Sequence, residues 1–203
     1  MPRVDTDTFY RNALARYGHN AQGAHWESSR SQEVRFAVLR RLLPADLSAL
    51  TLVDVGCGLG DLFRYLEVLG ACPGGYLGID VVAPMVEIAR RRTGREVLLL
   101  DALCDPLPRA DYYLCSGAMN TLTREETRQF IERCLAASSV GFIFNLLRGE
   151  DDCETFNYWQ PEQIKALALE LGADCVIETG YLSQDFSAVL RHPVAGGEPR
   201  AGP

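Results

Sequence analysis

Nowhere do the 203 residues offer the roughly 18 consecutive apolar positions that a membrane span needs, and the opening "MPRVDTDTFY" lacks an apolar targeting stretch. A soluble protein with no membrane partner is expected. The seven cysteines, Cys57, Cys72, Cys104, Cys115, Cys134, Cys153 and Cys175, are odd in number and show neither a CxxC pair nor Cys/His ligand spacing. That argues against a disulfide framework and against a metal site. It suits a reducing, cytoplasmic setting with most of the thiols as small core residues. Internal repeats are lacking, and a chain of this length with 47% hydrophobic residues buries one core, leaving no room for a separate substrate domain. A net charge of −7 repels phosphate backbones, so nucleic acid is not an expected partner. The one basic run, "RRRTGR" at 90–95, reads as a solvated helix end.

What the chain does have is alternation. The runs at 50–56, 75–80, 96–101, 110–117 and 139–147 carry the near-continuous apolar content of strands covered on both faces. Helical patterns lie between and after them at 60–71, 84–93, 123–137 and 161–171. Pro84 and Pro161 suit first-turn positions, and Thr123 with Glu126 three residues on makes an N-terminal cap. Another helix is expected over 31–43. Strand and helix in alternation predict an α/β fold, a doubly wound, mostly parallel sheet with helices on both faces. Near the end, "DCVIETGYL" and "FSAVLRH" are separated only by "SQD", too short for a parallel crossover, so they form an antiparallel hairpin. Three parts follow: a segment 1–30 without a clean period, a domain 31–192, and a tail 193–203 read as disordered.

The first strand runs into "DVGCGLGD", with Gly56, Gly58 and Gly60 at alternate positions. One glycine serves a turn; three suggest that backbone lies against something bulky. In an open parallel sheet this first turn is where the chain comes closest to a ligand. The dinucleotide fingerprint G-x-G-x-x-G fits poorly, because its third glycine falls on Asp61, whose charge would sit beside a diphosphate. A nicotinamide-dependent oxidoreductase is therefore the weaker reading. Asp61 itself suits the first turn of a helix, where it complements the dipole.

"DVGCGLGD" resembles the acidic-x-Gly-x-Gly-x-Gly motif of the class I S-adenosylmethionine-dependent methyltransferases, and the likeness extends over roughly residues 31–192. It implies a seven-stranded sheet closed by an antiparallel hairpin, S-adenosylmethionine as cofactor, and methyl transfer to a compact, small-molecule acceptor. It also implies roles. Asp80, with Val81 after it, stands where the family binds the ribose hydroxyls; Asp101 and Ala102 where it reads the adenine; Asp54, with Ser116, near the methionine moiety. A ligand with two hydroxyls, an amine and cationic centres presents many donors and wants carboxylates.

No Asn-Pro-Pro-Tyr signature follows the fourth strand, which lowers the weight of nucleobase and glutamine acceptors. Cys115 has no preceding proline and reads as a core cysteine. Asn120 and Asn145 are candidate acceptor-site residues, and Phe156 and Trp159 either line the pocket or cover the sheet. Before the first strand, Tyr17, His25 and Trp26 form a polar-aromatic group, with His19 and Arg35 nearby, that is either a lid excluding water or ordinary packing. A non-catalytic adaptor that kept the fold remains the rival of a different class.

Overall fold

The computed structural model describes every residue except 1–3, 21, 25–27, 151–154 and 194–203. The tail therefore lies outside the described residues but for Pro193, as do His25 and Trp26. The strands are β1 (Thr51–Val55), β2 (Gly75–Asp80), β3 (Glu96–Leu99), β4 (Ala110–Ser116), β5 (Ser138–Arg148), β6 (Tyr158–Trp159), β7 (Asp174–Thr179) and β8 (Asp185–Arg191). They form one sheet in the order β3-β2-β1-β4-β5-β8-β7, with the two-residue β6 added on β5 as an eighth strand to the seven expected. The pairings β1–β2, β1–β4, β2–β3 and β4–β5 are parallel. β8 runs antiparallel to both β5 and β7, the closing hairpin expected from the short "SQD" link.

The helices are α1 (Thr6–Tyr17), α2 (Ser29–Leu42), α3 (Asp61–Val68), α4 (Ala83–Thr93), α5 (Arg124–Ala137) and α6 (Pro161–Glu170). Strand residues alternate between two buried faces, as period-two side chains must. Leu52, Tyr112, Leu114, Ile143 and Val189 pack with Phe36, Leu39 and Leu42 of α2 and Leu62 and Leu66 of α3. Their neighbours Val53, Tyr113, Cys115, Phe142, Phe144 and Ala188 pack with α5 and α6 through Phe130, Ile131, Ile164 and Leu167. Cys115 is thus the core residue it was expected to be, and so is Trp159, which is buried in the same cluster with the Arg124 guanidinium 4.7 Å over its ring. The expected Thr123–Glu126 capping box is formed, and Pro84 and Pro161 sit in the first turns of α4 and α6.

One element goes beyond the expectation. The segment before the sheet contains a helix, α1, that its sequence pattern does not announce. Only Ala13 of it is fully buried, and Tyr10 and Leu14 rest on a small cluster of Leu59, Val82, Met85 and Ile88. An apolar contact of that size leaves a faint period. The legible signal was its cap: Asp5 Oδ1 accepts the Thr8 N–H at 3.2 Å. The basic run at 90–95 closes α4 as expected, with Arg90, Arg91 and Arg95 exposed, and three of its side chains also make contacts of their own. Arg90 Nε donates to Val97 O at 2.8 Å, Arg92 reaches Leu59 O at 2.9 Å and Asp61 Oδ1 at 2.6 Å, and Arg95 lies over the Phe63 ring.

A buried ion pair ties α2 to the far end of the chain. Arg35 on α2 donates from Nε and Nη2 to both oxygens of Asp185 on β8, each at 2.7 Å, with side chains 12% and 4% exposed. Removing one partner strands a buried charge, which costs about 3–5 kcal/mol. Asp185→Ala should therefore lower the melting temperature by roughly 6–20 °C. The double variant Arg35→Met/Asp185→Leu should recover most of that loss in the same scan.

Candidate functional site

Strand order reverses between β1 and β4, and ligands of such sheets bind in the crevice beyond the carboxyl ends at that point. The loop leaving β1 is pinned there by Ile79 O, which accepts the N–H groups of Gly56 and Cys57 at 2.7 and 3.0 Å. Its three glycines have different reasons. A Cβ on Gly56 would stand 2.2 Å from the Ala118 Cβ, and one on Gly60 would stand 2.5 Å from Thr93 Cγ2. Those two are crowded by the protein itself. A Cβ on Gly58 would meet nothing within 4 Å, at a φ of +54°. Only the middle glycine has open space where a side chain would stand.

That space is a cavity of about 550 Å³, within the ~300–1,000 Å³ typical of small-molecule sites. Asp80 stands at its floor. Its Oδ2 accepts the Gly58 N–H at 2.8 Å and its Oδ1 accepts the Val82 N–H at 2.9 Å, so the carboxylate is locked between the loop and the start of α4. Burial raises its pKa above the ordinary carboxylate value, and the two N–H bonds oppose that rise. Beside it, Asp54 is 2% exposed and accepts a 2.7 Å hydrogen bond from the Tyr76 hydroxyl. Burial pushes its pKa up to about 7, and the charges of Asp80 and Asp61 add to the rise. Two buried acids with no cationic partner among the described residues suit a ligand that brings a cation.

The third acid lies in a turn just past β3. Asp101 Oδ1 accepts the Leu103 N–H, and the Asp101 N–H donates to Asp105 Oδ2, both at 2.8 Å. α5 holds this turn from outside: Gln129 donates to Leu103 O at 3.2 Å, and Arg133 to Ala102 O at 2.6 Å and also to Asp105 O. At the end of β4, Ser116 Oγ accepts from Asn145 Nδ2 at 2.9 Å.

Of the residues singled out from the sequence, Asp54, Gly56, Gly58, Asp80, Val81, Asp101, Ala102, Ser116 and Asn120 all line the cavity. Gly60 does not; it packs on α4. Asn145 stands behind Ser116 rather than on the wall. Tyr17 is 39% exposed, lies under the Arg16 guanidinium and is not brought to the cavity, and His25 and Trp26 fall outside the described residues. Instead the N-terminal wall is made by Asp5, Asp7, Phe9 and Tyr10 of α1 and its cap, with Gln32 and Phe36 of α2. Phe9 meets Phe156 edge-on across the cavity at 6.4 Å. Asp61 opens α3 as expected, and Arg92 and Gln32 both donate to it, at 2.6 and 3.1 Å.

Comparison with known proteins agrees with this geometry. Residues 52–140 match the family described as methyltransferase domain. A curated relative, ubiquinone biosynthesis O-methyltransferase of Rhodopseudomonas palustris (strain BisB18), is 31% identical over 101 residues, 47% of this chain and 38% of that protein. The chain thus matches well under half the length of that relative. Among solved structures, magnesium protoporphyrin IX methyltransferase from Synechocystis PCC 6803 with bound S-adenosylhomocysteine superposes with a TM-score of 0.69 at 13% identity, covering 93% of this chain and all of that one. Human N-acetylserotonin methyltransferase in complex with S-adenosylmethionine gives 0.68 at 16% identity, over 96% and 61%. Residues 52–140 thus match a methyltransferase domain, and nearly the whole chain shares its Rossmann-like fold with methyltransferases solved with S-adenosylmethionine or its product.

The residues present fit that cofactor. Gly58 leaves the space a side chain would fill, and the buried carboxylates at Asp54 and Asp80 suit cationic and hydroxyl groups. Asp54 also carries a pH signature. Its folded pKa of about 7 lies above the unfolded value of 3.8, so the native state holds its proton longer, and ionisation as pH rises from 4 to 7 costs stability. Asp54→Asn keeps an acceptor for Tyr76 and removes the charge. It should therefore raise the unfolding free energy of the ligand-free protein at pH 8, by up to about 4 kcal/mol, with little gain at pH 4. Urea titrations of both proteins at the two pH values check this.

Proposed function

We propose that the protein transfers a methyl group from S-adenosylmethionine to a small-molecule acceptor, with residues 31–192 as the methyltransferase domain and α1 as part of a lid. The observation that carries this reading is the open backbone at Gly58 hydrogen-bonded to the buried Asp80 carboxylate, on the floor of a cavity that is also lined by α1 and Phe156. When bound, S-adenosylmethionine supplies an activated methyl group on a sulfonium. The chain has to bind, align and exclude water.

Asp80 spends one lone pair on each backbone N–H and has acceptor capacity left on both oxygens for two ribose hydroxyls. Asp101, whose Oδ1 is already turned by Leu103, and the backbone of Ala102 suit an adenine edge, and the Gln129 and Arg133 bonds keep that turn from moving. Asp54 and Ser116 face the amino-acid end, the Ser116 oxygen being oriented by Asn145. Alignment of donor and acceptor is then the main catalytic resource, since fixing two reactants in line is worth about 7–11 kcal/mol. Phe9 against Phe156 roofs the far half of the cavity and limits water near a developing, charge-neutralising displacement. The relatives are named for acting on a ubiquinone precursor pathway, a porphyrin and an acetylated amine, which supports a small molecule as acceptor. The six described cysteines are all free thiols, which supports a reducing, cytoplasmic setting.

Ligand-dependent melting tests the reading. At about a hundredfold excess over Kd, S-adenosylhomocysteine should add about 2.7 kcal/mol, or roughly 5–10 °C, while NAD should add nothing. Asp80→Ala should weaken S-adenosylhomocysteine by about tenfold or more in titration calorimetry, because charge-assisted hydrogen bonds are lost. A larger shift with NAD, or unchanged affinity in the variant, would overturn the proposal.

A further inference from the structure

Resting on that function, we infer that the acceptor is a small primary amine with an apolar body, arriving as a cation. Three features of the cavity half not given to the cofactor point the same way. The first is its walls: Phe9, Tyr10, Phe36 and Phe156 come together from α1, α2 and the segment before β6, with Phe9 edge-on to Tyr10 at 5.3 Å and to Phe156 at 6.4 Å. Such rings bury an apolar body and attract an ammonium over their faces.

The second feature is charge. Beyond the three acids assigned to the cofactor, Asp5, Asp7 and Asp61 also line the cavity. Among the described lining residues the only base is Arg35, and two of its nitrogens are held by both oxygens of Asp185 at 2.7 Å. A carboxylate or phosphate entering here meets acids and a guanidinium already engaged. Asp61 and Asp7 are partly neutralised by Arg92 and Arg11, both at 2.6 Å, whereas Asp5 is held by hydrogen bonds from Thr8, so the charge an ammonium meets here is chiefly that of Asp5.

The third is a pair of unmatched oxygens. Asn120 and Thr121, on the short helical turn after β4, are both lining residues and both more than nine-tenths buried. Asn120 Oδ1 and Thr121 Oγ1 have no hydrogen-bond partner among the described residues. Buried oxygens of this kind are costly until a donor reaches them. An amine brings more than one N–H; a carboxylate or phosphate dianion brings none.

The reaction balances simply. The ammonium gives one proton to water at the cavity rim. The freed nitrogen lone pair forms the N–C bond as the C–S bond of the donor breaks, and the C–S electron pair stays on sulfur. The products are an N-methylammonium, the thioether and the released proton.

Three probes of one shape separate the alternatives: 2-phenylethylamine, 2-phenylethanol and phenylacetate, titrated by calorimetry into the full chain saturated with S-adenosylhomocysteine, at neutral pH and low salt. The amine should bind about tenfold tighter than phenylacetate, with the alcohol between them. In Asp5→Asn the cap of α1 is kept, because asparagine caps as well as aspartate, so only the charge is lost. That variant should weaken the amine about threefold and leave the alcohol unchanged, the size expected for one exposed charge. Phenylacetate or the alcohol binding as tightly as the amine overturns the inference, as does binding of none of the three. Failure of the saturation step with S-adenosylhomocysteine would instead count against the methyltransferase reading, and it is seen before any probe is added.

Discussion

The hydrogen bond from the Gly58 N–H to the Asp80 carboxylate joins the two strands on which everything at the site is hung. It links the loop after β1 to the end of β2, and its companion from Val82 fixes the start of α4 to the same carboxylate. Burying that acid is unfavourable by itself, and its raised pKa records the cost. What offsets the cost is backbone: two N–H groups at about 2.8–2.9 Å hold the charge without using a cation. A cationic or hydroxyl-rich ligand can then take the place a basic side chain would fill in a merely structural site. The same logic extends to Asp54, which accepts a hydrogen bond from the Tyr76 hydroxyl.

Around this bond the architecture divides its labour. The sheet provides rigidity, since β1, β4 and β5 are buried on both faces and carry the carboxyl ends that form the cavity floor. α5 stiffens the turn at 101–105 through Gln129 and Arg133. α1 and α2 close the cavity from above, and the Arg35–Asp185 pair anchors that upper layer to β8. The floor is therefore built from the most buried part of the chain. The roof is built from α1, which rests through Tyr10 and Leu14 on the small cluster of Leu59, Val82, Met85 and Ile88.

Much of the floor was legible in the sequence because it is local. An apolar run ending in a glycine-rich turn, an acid closing the next strand and a proline opening the next helix are signals within a few residues of one another. The antiparallel closing hairpin followed from the length of one short link. The functions of the three glycines were not separable, since Gly56 is fixed by Ala118, some sixty positions away, and Gly60 by Thr93. Nor was the pairing of Arg35 with Asp185, which joins residues 150 apart and leaves no periodic trace. α1 was missed because a helix held by two or three side chains has hardly any amphipathic pattern, although Asp5 was there to mark its start. Tyr17 was chosen for its chemistry, and its place at the exposed last turn of α1 depends on a helix the pattern did not reveal.

The central claim is that, of the three loop glycines, Gly58 is the one whose open side-chain position is filled by a ligand rather than by protein. The most direct measurement is the backbone amide spectrum of the isotope-labelled protein, recorded as S-adenosylhomocysteine is added. The account predicts that the Gly58 amide shifts strongly, together with those of Val81 and Ala102, while Gly70 and Gly172, at distant helix ends, stay where they are. A Gly58 resonance unmoved at saturation, with the changes gathered elsewhere in the chain, would contradict it.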